Sequence, residues 1–217
     1  MKPKFTFSAT EVKHIALALV ALAFSFQFIL FRNEIFSQGL FSNLTAMLTF
    51  FLLSLIAVGF AFVLHELGHK FMAQSKGLWS EFRAWPTGLV LAIGMALLSR
   101  GSFVFAAPGA TMISPVKRHR FGYTMQILKP KDLGEIGLIG PAINIILCLI
   151  FGSLALLFPN AFYGIFSIGA QVNAWLAIFN LIPISMLDGA KIWQWSKVIW
   201  GGAMALSVFM FVLTVML

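Results

Sequence analysis

Five apolar runs, each about as long as the hydrocarbon core of a bilayer is thick, constrain this 217-residue chain more than any other feature. They cover residues 15–31, 44–64, 136–158, 161–182 and 198–217. Backbone surrounded by lipid has to satisfy its own hydrogen bonds, so each run predicts a spanning helix. Composition agrees: 60% of the residues are hydrophobic and 10% charged, where a water-facing surface needs roughly a quarter charged. A soluble enzyme is excluded on that ground. The first run is too long for a cleaved signal, and Arg32-Asn33-Glu34 after it offers no small-residue cleavage site. The second continues without a breaker through residues 65–72, which predicts one long helix.

Residues 87–98 are apolar but too short to span, and 103–107 lead into the turn signal Pro108-Gly109. This predicts a re-entrant helix and β-hairpin segment near 86–115. With that segment re-entrant, every lysine and arginine except Arg32 falls on one side, as the enrichment of basic residues in cytoplasmic loops requires. The expectation is an all-α polytopic membrane protein with about five transmembrane helices, its N-terminus cytoplasmic, in the cell (plasma) membrane. The net charge of +8 then reflects topology, with the lipid bilayer as partner and no nucleic acid. Residues 1–217 are expected to form one membrane-embedded domain. Its catalytic core lies at about 44–195, with peripheral helices at 15–31 and 198–217. A single cysteine, Cys148, excludes an intramolecular disulfide, and the sequence sets no oligomeric state.

Ionisable groups near a span cost free energy, so their positions carry information. Five of the seven acids fall in loops or flanks; Glu66 and Asp188 instead follow apolar segments closely. Glu66 belongs to His65-Glu66-Leu67-Gly68-His69, an HExxH string. Two histidines four apart project from one helix face and can hold one metal ion, with the glutamate beside it as general base. The bland reading is a pair of helix-end histidines that only form hydrogen bonds. A hydrolytic zinc site takes three protein ligands and keeps a fourth position for water. Asp188 is the candidate third ligand, because chain counts from the outer helix ends bring it and His65 to similar depth. Pairing with Lys191 at the interface is its alternative. Asn144, about 12 Å into its helix, reaches the same zone.

Three segments together resemble the motifs of the site-2 proteases, zinc-dependent intramembrane metalloproteases. They are the HExxH string, Gly140-Pro141-Ala142-Ile143-Asn144, and the stretch from Asn180 through Pro183 to Asp188-Gly189. The resemblance covers roughly residues 44–195 and implies one Zn ion held by His65, His69 and Asp188. It implies Glu66 as the catalytic glutamate and Asn144 as a substrate-orienting residue. Phe103, Val104 and Phe105 resemble part of a membrane-inserted β-hairpin that pairs with unwound substrate. Ser185 departs from the pattern, standing where many members carry a second proline.

Under this reading the substrate is a transmembrane protein, cut in regulated intramembrane proteolysis. A helix in lipid hides its peptide groups, so it must unwind, and a strand at 103–107 would satisfy the freed amides by β-addition. Asn180 and Pro183 shape the break that delivers Asp188, and Gly189 supplies permissive backbone. Asn144 is either catalytic or simple interhelical glue. The competing functions are a CAAX-type membrane zinc hydrolase and a catalytically silent protein that binds membrane helices.

Overall fold

The computed structural model describes residues 5–37, 43–119, 122–125, 127–160, 162–184 and 186–216. Ser185 and Arg120 lie outside them. Helix α1 (Ala9–Leu30) starts before its apolar run because Ser8 caps it, accepting a hydrogen bond from Glu11 N at 3.0 Å. A short α2 (Arg32–Ser37) follows. Next, α3 (Leu44–Val58), a π-helical turn (Gly59–Val63) and α4 (Leu64–Ser75) form one continuous 32-residue rod. Then come β1 (Trp79–Ala84), α5 (Pro86–Leu98), β2 (Gly109–Ser114), and a hairpin of β3 (Val116–His119) and β4 (Gly122–Met125). The chain ends in α6 (Pro130–Leu157), α7 (Tyr163–Leu181), the short α8 (Asp188–Trp195) and α9 (Lys197–Met216).

Among the described residues, five helical stretches are long and apolar enough to cross a membrane: α1, the α3–α4 rod, α6, α7 and α9. They match the five expected runs. The fold is mostly helical, and the two small antiparallel sheets amend the all-α expectation.

The interval expected as a re-entrant hairpin divides differently. Residues 86–98 form the 13-residue helix α5, which stops where Arg100 and Gly101 both adopt positive φ and Gly101 N bonds Ala96 O at 2.8 Å. Residues 103–107, expected as a strand, have irregular backbone. Their side chains fill the core: Val104 is fully buried, Phe103 packs on Trp175, and Phe105 on Trp85 and Phe179. The strand begins two residues later and pairs with β1, in the register Glu81↔Met112 and Phe82↔Thr111.

One edge of this small sheet is closed. Phe82 N donates to Glu11 Oε1 at 3.1 Å, Ala84 N donates to His14 Nδ1 at 3.2 Å, and Ser80 O accepts from Lys70 Nζ at 3.1 Å. These even-numbered groups of β1 therefore point away from β2. By the alternation of an antiparallel ladder, Gly109, Thr111 and Ile113 turn their backbone groups away from β1, along the other edge. Lys70 also meets both oxygens of Glu11, at 2.9 and 2.7 Å, with both charged groups buried. Helix α1, expected at the periphery, is thus bonded to both α4 and β1.

Candidate metal centre

Helical spacing brings His65 and His69 onto one face of α4, with their Nε2 atoms 3.0 Å apart. Asp188, the first residue of α8, places Oδ2 at 3.2 Å from His65 Nε2 and 2.8 Å from His69 Nε2. All three side chains are at least nine-tenths buried. Asp188 gets there because α7 ends at Leu181 and Pro183 cannot extend the helix. The chain then folds back so closely that a Cβ on Gly189 would collide with Leu181 O. Asn180 bonds back to Leu176 O at 3.0 Å and lines the cleft.

The protonation pattern of the histidines follows from their outer partners. Asn144 Nδ2 donates to Ala61 O at 3.0 Å and to Asn173 Oδ1 at 2.9 Å, so its Oδ1 is the atom facing His65. Asn173 is held in turn, its Nδ2 donating to Gly169 O at 2.8 Å. His65 Nδ1 therefore donates to Asn144 Oδ1 at 2.6 Å, and His69 Nδ1 donates to Ile136 O at 2.7 Å. In the neutral rings, each Nε2 is left with a lone pair. Two such lone pairs and a carboxylate oxygen converge on one point, an arrangement that a cation satisfies and that is costly without one.

Space is provided from the opposite side. Gly140 on α6 faces the cluster so closely that a Cβ there would lie 2.5 Å from His69 Nε2 and 2.6 Å from His65 Nε2. The missing side chain leaves a cradle beside the donors. Two imidazoles and a carboxylate are the ligand set that zinc accepts. His65, Glu66 and His69 also form a metal-capable cluster whose ligand atoms lie within 4.8 Å of one another.

Lys191, one turn along α8, donates to Asp188 Oδ1 at 2.8 Å. Burial works against its ammonium, but Asp188 more than offsets this and holds Lys191 above the ordinary lysine range. The interfacial pairing weighed from sequence thus coexists with the turn of Oδ2 toward the histidines. Glu66 lies one position along from His65, and its Oε2 accepts from Thr111 Oγ1 at 2.7 Å. His65, Glu66, His69, Thr111, Asp188 and Lys191 line one small, mostly polar cleft.

The expected site residues separate into two groups. His65, Glu66, His69, Asp188 and Asn180 meet at the cleft, and Gly189 shapes it from behind. Asn144 is fully buried behind His65 with its amide engaged, and Phe103, Val104 and Phe105 lie in the core. Sequence reasoning missed Thr111, Asn173 and the backbone carbonyl of Ile136. Of these only Asn173 left a signal, an amide within an apolar run.

A polar, metal-capable cluster within a bundle of apolar helices fits a membrane metalloprotease. The chain is 37% identical over 198 residues to a protein of Methanocaldococcus jannaschii named "Putative zinc metalloprotease MJ0611", with 90% of each chain covered. It belongs to that family of zinc metalloproteases. No protein-family profile and no solved structure matches the chain.

Proposed function

We propose that this protein is an intramembrane zinc endopeptidase of the site-2 type, hydrolysing peptide bonds within or near the transmembrane helices of membrane-anchored proteins. The observation that carries the reading is the convergence of His65 Nε2, His69 Nε2 and Asp188 Oδ2 beside Glu66, in a fold whose long helices are apolar enough to cross a membrane. These three residues would hold one zinc ion. Bound zinc supplies Lewis acidity that polarises a peptide carbonyl and makes water acidic enough to lose a proton near neutral pH.

Glu66 accepts the proton of the attacking water and passes it to the leaving amine. Asn144 holds His65 in the tautomer that leaves Nε2 free, so it acts through the ligand and does not touch substrate. Lys191 occupies the second oxygen of Asp188 and directs the other toward the histidines. The unwound substrate docks along Gly109, Thr111 and Ile113 of β2, where outward-turned backbone groups run beside the cleft. The opposite edge is blocked by Glu11, His14 and Lys70. The enrichment of lysine and arginine in the loops on one side supports a cytoplasmic N-terminus, and on this reading the protein is a multi-pass protein of the cell membrane.

The test is purified full-length protein with single-span reporter substrates in proteoliposomes. Glu66→Gln is expected to retain zinc and lose cleavage by about 10²-fold or more. Undiminished turnover in that variant would remove Glu66 from the mechanism. A wild type without zinc after reconstitution would favour a silent helix-binding protein.

A further inference from the structure

A glutamate on a helix carries three free side-chain torsions, so a general base at this position needs something to aim it. The aiming contact comes from far away in sequence. Thr111 Oγ1 donates to Glu66 Oε2 across 45 positions, at 2.7 Å, and both residues are buried, at 9% and 8% exposure. Among the described residues Thr111 is the hydrogen-bond donor to this carboxylate, and Oε1 has no protein donor of its own.

The chemistry of the donor suits the task. A hydroxyl is neutral, so it orients a carboxylate without pairing its charge away as a lysine would. It occupies one oxygen and leaves the other for a proton in transit. Rigidity comes from the sheet: Thr111 lies opposite Phe82 of β1, a strand itself anchored by Glu11 and Lys70. A β-branched side chain in a strand also has few χ1 choices.

We propose that Thr111 is the positioning residue for Glu66, fixing Oε2 so that Oε1 faces the water to be deprotonated. The kinetic part of this inference rests on the protease reading, whereas the contact itself does not.

The experiment compares wild type, Thr111→Val and Thr111→Ser as full-length protein in detergent, by three measurements. The first labels the five glutamates with 13C at the carboxyl carbon and identifies the Glu66 resonance by its absence in Glu66→Gln. Thr111→Val is expected to move that resonance and Thr111→Ser to leave it near the wild-type position. Second, zinc content is expected to be equal in all three proteins. Third, kcat is expected to fall about tenfold to a hundredfold in Thr111→Val with KM within about twofold, and to recover in Thr111→Ser.

An unmoved Glu66 resonance in Thr111→Val overturns the proposal. So does loss of zinc in Thr111→Val, which would make Thr111 a support of the fold, and so does a kcat that Thr111→Ser fails to restore. If the wild type cleaves no reporter, the protease reading fails by itself, and the resonance still decides whether Thr111 holds Glu66.

Discussion

His65 Nδ1 donates to Asn144 Oδ1 at 2.6 Å, and this single contact joins the HExxH helix to the middle of α6. Asn144 can present its oxygen only because Ala61 O and Asn173 Oδ1 take its two amide hydrogens. The chain of amides running back to Gly169 O therefore sets the tautomer of a candidate metal-binding ring.

Asn144→Leu is accordingly expected to weaken zinc binding by about 10- to 100-fold with all three ligands retained. Asn173→Leu, one step further back, is expected to weaken it by less, since Ala61 O still orients Asn144. Chelator competition on the purified proteins measures both. Equal affinity in wild type and Asn144→Leu would leave the π-turn and α4 alone as the determinants of His65 orientation.

The candidate ligands were legible because helical periodicity converts a four-residue spacing directly into a shared face, so bringing His65 and His69 together needed no tertiary information. Asp188 followed from chain counts along two helices, which bring it and His65 to similar depth. The sheet was hidden. In β1, Ser80, Glu81 and Phe82 are buried in succession, so covering on both faces removes the alternation that marks a strand. Residues 103–107 carry the stronger β-propensity in Phe103, Val104 and Phe105, yet tertiary packing draws those side chains into the core. Asn173 is an amide in an apolar run as Asn144 is, but it stands in no motif, so only the folded packing shows that it holds Asn144.

Gly140→Ala tests the cradle without touching a ligand. Its added methyl group would sit 2.5 Å from His69 Nε2, in the space between the donors and α6. Zinc content is expected to fall to a small fraction of wild type, measured by elemental mass spectrometry. Gly202→Ala on α9, where an added Cβ meets nothing within 4 Å, serves as the control and is expected to keep its zinc. Full occupancy in Gly140→Ala would mean that α6 does not close the metal site.

Lys76 ties the end of α4 to the start of α6, donating to Glu135 Oε2 at 2.5 Å and to Asp132 Oδ1 at 3.1 Å. The Glu135 bond above all, assisted by Asp132 and opposed by partial burial, holds its ammonium above the ordinary value of 10.5. A raised folded-state pKa contributes stability that is complete below the unfolded value and disappears as pH climbs through the folded one. The side chain is partly exposed, so the contribution is under about 1 kcal/mol. Thermal unfolding should show the wild type losing its Tm advantage over Lys76→Met as pH rises above about 10.5, and parallel curves would argue against it.

The Lys70–Glu11 pair carries larger stakes because both charges are out of solvent and also satisfy β1, through Ser80 O and Phe82 N. Removing one partner strands the other, at a cost of about 3–5 kcal/mol, whereas removing both with apolar residues of similar size costs far less. Lys70→Met and Glu11→Gln are each expected to lower thermal stability in detergent markedly, and the double variant Lys70→Met, Glu11→Leu to recover part of the loss. The same comparison reports on the sheet. If the double variant is as stable as wild type but its β1 amides exchange faster with deuterium, the pair serves mainly to close that edge and leave β2 as the side where an extended chain can add. If amide exchange and stability both return to wild type, the edge is held by His14 and packing, and the ion pair is dispensable for docking.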